Sequence, residues 1–263
     1  MKTSTLPRQQ FKRLLAEQTL SREQILEWIK TVRCLIIGIG MLKGGTGKTT
    51  STIFLALYLS LCLGLKVCVV DTDDNSQSVD NWYKARERRT PPEVVPFDIF
   101  TYDPKDEEGP DFEDVLEELS ESFDVVLVDV GGAGKEAYWE LCKSAHMVLL
   151  PVAPSGYETS RMAPTIKVAA RGGRQNPNTL KVFVTMIKCD RRTTLPQEQR
   201  AALEGALEAI DMDKLKVDVY FADKEFDISS SPDYPRSWET TPKIPQLGEY
   251  GLLFRHLMKA VAA

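Results

Sequence analysis

The chain has 263 residues, of which 43% are hydrophobic and 27% charged, and a formal net charge of −5. At about 150 residues per domain this allows one large domain or two small ones, and it excludes wholesale disorder, a collagen-like fibre and a low-complexity chain. The most apolar stretch, Ile53 to Leu65, is interrupted by Ser60 and Gly64 and falls short of the about 20 residues that span a bilayer.

Residues 1–32 are polar with short apolar stripes at Leu14, Leu15, Ile25, Leu26, Trp28 and Ile29. They predict two short helices ahead of the main domain, the second opened by a capping box, Ser21-Arg-Glu-Gln24. The polar start has no h-region, so no signal peptide is expected. From Arg33 the pattern changes. Cys34–Ile39 reads as a buried strand, followed by a glycine-rich loop and a helix from about Thr49 to Leu63. Further strands are predicted at Lys66–Asp71, Phe97–Tyr102, Asp124–Val130, His146–Val152 and Lys181–Ile187. Helices are predicted over 78–89, 112–122, 135–144, 157–170, 196–210 and 246–262, and an irregular loop over 223–245. Buried runs alternating with amphipathic segments predict a twisted, mostly parallel sheet flanked by helices. The expected organisation is a helical extension, 1–32, and one α/β domain, 33–263.

Charge is segregated along the chain. Residues 97–124 carry twelve acids and one Lys, whereas residues 158–200 carry nine Lys or Arg and three acids. A basic stretch can meet phosphate even on an acidic protein, although a solvated helix face reads the same way. The five cysteines are odd in number and form no C-x-x-C pair, so reduced thiols are expected rather than disulfides or a metal site.

The decisive segment is Lys43-Gly-Gly-Thr-Gly-Lys-Thr-Thr50, between a buried strand and a helix. Glycines let successive N–H groups turn towards one anion, and the helix start adds the positive end of its dipole. Lys48 can reach β- and γ-phosphates, and the Thr49 hydroxyl can ligate Mg²⁺. The first glycine of the common pattern is replaced by Leu42, and Lys43 adds a second lysine. With Lys48 serving its own nucleotide, Lys43 could reach one bound by a facing subunit. A dinucleotide-binding reading is weaker, because Gly38-x-Gly40 lacks its third glycine.

This loop resembles the deviant Walker A motif of the ParA/MinD family of P-loop ATPases, and Lys43 matches that family's signature lysine. Three more segments match in order: Val69-Val-Asp-Thr-Asp73, the Walker B-like Val125-Val-Leu-Val-Asp129, and Val148-Leu-Leu-Pro-Val-Ala-Pro154. The resemblance implies a P-loop NTPase fold and a Mg²⁺-dependent ATPase. The cradle would be Lys43, Gly44, Gly45, Thr46, Gly47, Lys48, Thr49 and Thr50. Thr49, Asp71 and Asp129 would serve Mg²⁺, and Asp73 would orient the attacking water. Lys43 would cross a homodimer interface to the partner's phosphates. The bland alternative for Asp71 and Asp73 is strand-end acids capping the next helix. Two departures, Asp73-Asp-Asn-Ser-Gln77 and Asp129-Val-Gly-Gly132, bear on switch geometry.

The subfamily most resembled is the ParA-type partition ATPase. It implies an ATP-bound dimer on non-specific DNA, a ParB-like adaptor, and a cytoplasmic, nucleoid-associated location. Candidate DNA contacts are Arg161, Arg171, Arg174, Lys188, Arg191 and Arg192, with Arg255 and Lys259 next in line. The alternative is a MinD-like membrane switch using a stripe of Leu247, Tyr250, Phe254, Leu257, Met258 and Val261. Few basic residues flank that stripe, so packing on the core is expected and membrane binding is not. Cofactor-maturation ATPases of this scaffold tend to carry cysteine metal sites, for which the chain has no pattern.

Overall fold

The computed structural model describes residues 17–73, 78–106, 108–131, 135–210, 215 and 217–263. The predicted Leu14–Leu15 helix lies outside them.

The strands are β1 (Leu35–Ile39), β2 (Val67–Asp71), β3 (Asp98–Thr101), β4 (Val125–Asp129), β5 (Met147–Val152), β6 (Lys181–Met186) and β7 (Asp218–Phe221). They form one sheet in the order β3-β2-β4-β1-β5-β6-β7. Every pairing between them is parallel. Parallel strands need crossovers, and these are helical: α2 (Lys48–Leu63), α3 (Ser78–Glu87), α4 (Phe112–Ser122), α5 (Lys135–Ser144), α6 (Gly156–Gly173) and α7 (Leu195–Glu208). Before them stands α1 (Arg22–Ile29), and after β7 come α8 (Asp233–Arg236) and α9 (Gly248–Val261).

Strand periodicity divides the core in two. Leu35, Ile37, Ile39, Val67, Val69, Val125 and Leu127 face α2 and α9, with Phe54, Leu57, Leu253 and Phe254. Ile36, Cys68, Val70, Val126 and Val128 face the other way, against Leu116 of α4, Leu141 of α5 and Ile166 of α6. Both faces are covered, so the central strands read as unbroken apolar runs. Gly38 lets α5 lie directly on β1, because a Cβ there would come within 2.4 Å of Leu141 Cδ2.

The first described residues join this core. Ser21 caps α1 with both halves of the predicted box formed. Ile25 is fully buried among α2 and α9 residues. Arg22 donates to the Cys62 and Leu63 carbonyls at the end of α2. Leu20 N–H bonds to the Arg255 carbonyl at 3.1 Å.

The fold departs from the sequence pattern at two places. β7 is a four-residue edge strand with an exposed or half-buried pattern, too short for its periodicity to predict it. The 223–245 loop is more ordered than its prolines suggest. It contains a 3₁₀ turn (Lys224–Phe226) and α8, and Trp82 Nε1 donates to the Ser237 carbonyl at 2.9 Å.

Candidate nucleotide-binding site

After β1 the chain enters a helix on one face, whereas α5 and α6, after the neighbouring β4 and β5, lie on the other. A crevice opens at such a switch, outside the carboxyl ends of the strands. The phosphate loop sits there.

Gly45 and Gly47 have φ of 77° and 83°, in the left-handed region that glycine tolerates. Gly47 also lies against Ile187, whose Cδ1 would be 2.4 Å from any Cβ. Helix α2 begins at Lys48, with its open amides at the loop. Lys48 is buried, and its Nζ donates to the Lys43 carbonyl at 2.9 Å. Burial pushes its pKa down, against the pull of Asp129, Asp73 and Glu158. The Thr46 hydroxyl is buried without a protein partner. A buried ammonium and an orphaned hydroxyl in a glycine loop at a helix start fit a phosphate chain.

Asp129 ends β4 beside this loop. Its Oδ2 accepts from Thr49 Oγ1 at 2.7 Å and its Oδ1 from Thr52 Oγ1 at 3.2 Å. Burial raises its carboxyl to about 7 against those hydrogen bonds. A hydroxyl and a buried carboxylate oxygen this close are hard oxygen donors of the kind Mg²⁺ takes alongside phosphate and water. Thr49 and Asp129 therefore fit that ion.

Asp71 is paired in register with Asp129. Its oxygens are occupied differently. Oδ1 accepts from Asp73 N at 3.1 Å, and Oδ2 accepts from Val79 N at 2.9 Å and Asp80 N at 3.3 Å. This carboxylate bonds the first amides of α3. Asp73 is half-buried at the crevice, with its Cα 3.1 Å from a Cβ built on Gly131.

Lys43 stands at the loop's mouth. Its Nζ is 3.8 Å from Glu158 Oε1 and 4.2 Å from the Tyr157 ring centroid. Both residues open α6, where Glu158 also accepts from Ala153 N at 2.6 Å. Thr50 follows within α2.

The predicted basic residues stand in different settings. Arg161, Arg171 and Arg174 are exposed on or just after α6, with Lys167 between them. Arg171 lies 5.6 Å from the Trp139 ring and lines a cleft of about 800 Å³ between α4, α5 and α6. Arg191 pairs with Glu249 at 3.4 Å, and Arg192 holds Asp190 through two bonds of 2.9 Å. Lys188 turns to the phosphate loop, donating to the Gly45 carbonyl at 2.9 Å. No sequence signal marks that contact. The fallback cations are also engaged: Arg255 donates to the Leu20 carbonyl at 2.7 Å and Lys259 to the Glu17 carbonyl. The C-terminal apolar stripe is largely buried, with Leu247, Tyr250, Phe254, Leu257 and Met258 in the core and Val261 half-exposed. Among the described residues no helix is long and apolar enough to cross a membrane.

Residues 37–219 match the profile of the CobQ/CobB/MinD/ParA nucleotide-binding domain. The chain belongs to this family. Its fold is that of solved members. The pNOB8 ParA bound to non-specific DNA is 15% identical with a TM-score of 0.58, over 87% of this chain and 97% of that one. A putative plasmid partition protein from Borrelia burgdorferi B31, bound to AMPPNP, is 16% identical with a TM-score of 0.56, over 86% and 99%. MinD, in the MinC:MinD complex of Aquifex aeolicus, is 18% identical with a TM-score of 0.56, over 86% and 96%. No protein of curated function matches the chain by sequence.

Proposed function

We propose that the chain is a ParA-like ATPase that dimerises around ATP and carries DNA cargo by cycling on and off non-specific DNA. The observation that carries this reading is a phosphate loop with two lysines in different settings. Lys48 is buried inside the loop, and Lys43 stands at its mouth beside Glu158 and Tyr157. A second cation at the mouth suits the phosphates of a nucleotide on a facing copy.

The residues divide the work as follows. The amides from Gly44 to Thr50 receive phosphate oxygens, and Lys48 leaves the Lys43 carbonyl to pair with the β- and γ-phosphates. Thr49 and Asp129 would hold Mg²⁺, which would supply neutralisation of the phosphate charge. Asp73 accepts a hydrogen bond from the attacking water and aims it in line with the leaving oxygen. Gly131, against Asp73, brings the loop after β4 close to that position. Asp71 supports this indirectly, by fixing the start of α3. DNA phosphates meet the exposed cations of α6, and a ParB-like adaptor triggers turnover. The setting is the cytoplasm, with the ATP form on the nucleoid.

Light scattering with ATP and with ADP tests the core of this reading. A dimer with ATP and a monomer with ADP are expected, with duplex binding in the ATP form alone. A chain that stays monomeric with ATP overturns it.

A further inference from the structure

Lys188 follows β6, in the stretch whose charge suggested a DNA face. Its ammonium reaches the phosphate loop across 143 residues of sequence, donating to the Gly45 carbonyl at 2.9 Å. Its backbone is left-handed, with φ of 56°, and among the described residues Thr179 is the other non-glycine there. Side chains resist that region, so the surroundings must hold it. The residue before it, Ile187, is buried against Gly47. The dipeptide Ile187-Lys188 therefore grips the loop at both of its left-handed glycines.

We propose that Lys188 is a positioning residue of the nucleotide site: it fixes the Gly45–Thr46 peptide so that the loop meets phosphate already in its binding shape. The proposal rests on reading this loop as an ATP site. A trans peptide is planar, so its C=O and N–H point to opposite sides. Tying the Gly45 carbonyl to Lys188 turns the Thr46 amide to the side away from Lys188. Gly44 and Gly45 leave an unheld loop with many conformations, and a loop already ordered loses less entropy when the anion arrives. Lys48 and Lys188 thus play different parts. Lys48 bonds a loop carbonyl that it can exchange for phosphate, whereas Lys188 keeps its bond with the nucleotide in place.

The test is calorimetric titration of ATP with Mg²⁺ into the full chain and three variants. Lys188→Met keeps the apolar stem and removes the donor, Lys188→Arg keeps a donor, and Lys48→Ala checks the loop itself. Loss of one hydrogen bond from a charged donor should weaken ATP binding about 10-fold in Lys188→Met. Lys188→Arg should recover most of that loss. Single-turnover hydrolysis at saturating ATP and the urea midpoint of the nucleotide-free protein should stay at wild type in Lys188→Met. Hydrogen exchange at the Gly45–Gly47 amides should be faster in that variant. Wild-type affinity in Lys188→Met, with binding lost in Lys48→Ala, overturns the role of Lys188 and leaves the ATP site standing. A lower urea midpoint in Lys188→Met, with no recovery in Lys188→Arg, also overturns it, since the residue would then be structural. Wild-type binding in Lys48→Ala removes the ATP site and this proposal together.

Discussion

The two ends of the parallel sheet treat buried polar groups differently. At the amino ends two half-buried groups are matched by local backbone. His146 Nδ1 accepts from Ile36 N at 3.2 Å, and Asp124 Oδ2 accepts from Lys66 N at 2.8 Å. At the carboxyl ends the groups are not fully matched. Lys48 is buried with its pKa pushed down, Asp129 is buried with its carboxyl raised to about 7, and the Thr46 hydroxyl has no protein partner. Burial opposes charge at both ends, and at the carboxyl ends it leaves a buried ammonium and a buried carboxylate that a ligand could satisfy. Asp71 qualifies the contrast: it lies at the carboxyl end, yet it accepts from three backbone N–H groups, two of them at the start of α3.

The contrast breaks most sharply at Lys48. Lys48→Ala should lower ATP affinity at least about 100-fold, as expected for removing a desolvated ionic partner. Calorimetry showing normal affinity would mean that the carboxyl-end charges serve something else. Asp73→Ala should bind ATP normally and hydrolyse it about 100-fold more slowly, the scale of one positioned proton-accepting group. Unchanged single-turnover kinetics would remove Asp73 from the chemistry.

Asp71 and Asp129 test whether position alone makes a carboxylate functional. Asp71→Ala leaves two amides of α3 and the Asp73 amide without their acceptor and should cost about 2 kcal/mol of stability, read by urea unfolding, at unchanged Mg²⁺ dependence. Asp129→Ala should raise the Mg²⁺ needed for turnover. If Asp71→Ala raises it equally, Asp71 belongs to the metal after all.

On DNA, the cations on the part of α6 that leads towards the amino end of β6 should matter most. The pair Lys167→Ala and Arg171→Ala should reduce the magnitude of the salt slope by about two. Arg191→Ala with Arg192→Ala should change it less, because Glu249 and Asp190 already balance those charges. Fluorescence anisotropy on random duplex across a salt series decides between them.

The smallest expected effect is at His146. Burial holds its imidazole below its ordinary 6.5. Below that pH the unfolded chain takes up a proton that the folded chain refuses, so stability falls as pH drops. Buried Asp227, raised to about 6, works in the opposite direction, so wild type must be compared with His146→Gln. Wild type's advantage in urea midpoint should shrink from about pH 7.5 to about pH 5.5. A constant advantage would mean that the ring takes up a proton without penalty in the fold.

Much of the nucleotide site was legible because its signals are local. The lysines, glycines and threonines of the loop are contiguous, and Asp129 ends a run of four valines and leucines. In the sequence Asp71 reads as a group serving Mg²⁺, with a strand-end acid capping the next helix as the bland alternative. The start of α3 brings Val79 N and Asp80 N to one of the Asp71 oxygens. A tally of charge along the chain does not reveal the partners of each charge. Glu249 lies 58 residues from Arg191, and Glu17 lies 242 residues from Lys259.

By itself, then, the sequence determined whatever depends on neighbours and on period. Uninterrupted apolar runs require strands covered on both faces, and loop glycines permit the phosphate turn. Strand parity places Asp71 and Asp129 on the face of α2, because side chains alternate along a strand. Tertiary structure alone decided which charges remain available. Strand order brings β6 beside β5 and so sets Lys188 against Gly45, while α9 binds the incoming chain through Arg255 and Lys259. A charge is used or spare according to what stands within about 3 Å of it, and across more than a hundred residues the packing of strands and helices sets that distance.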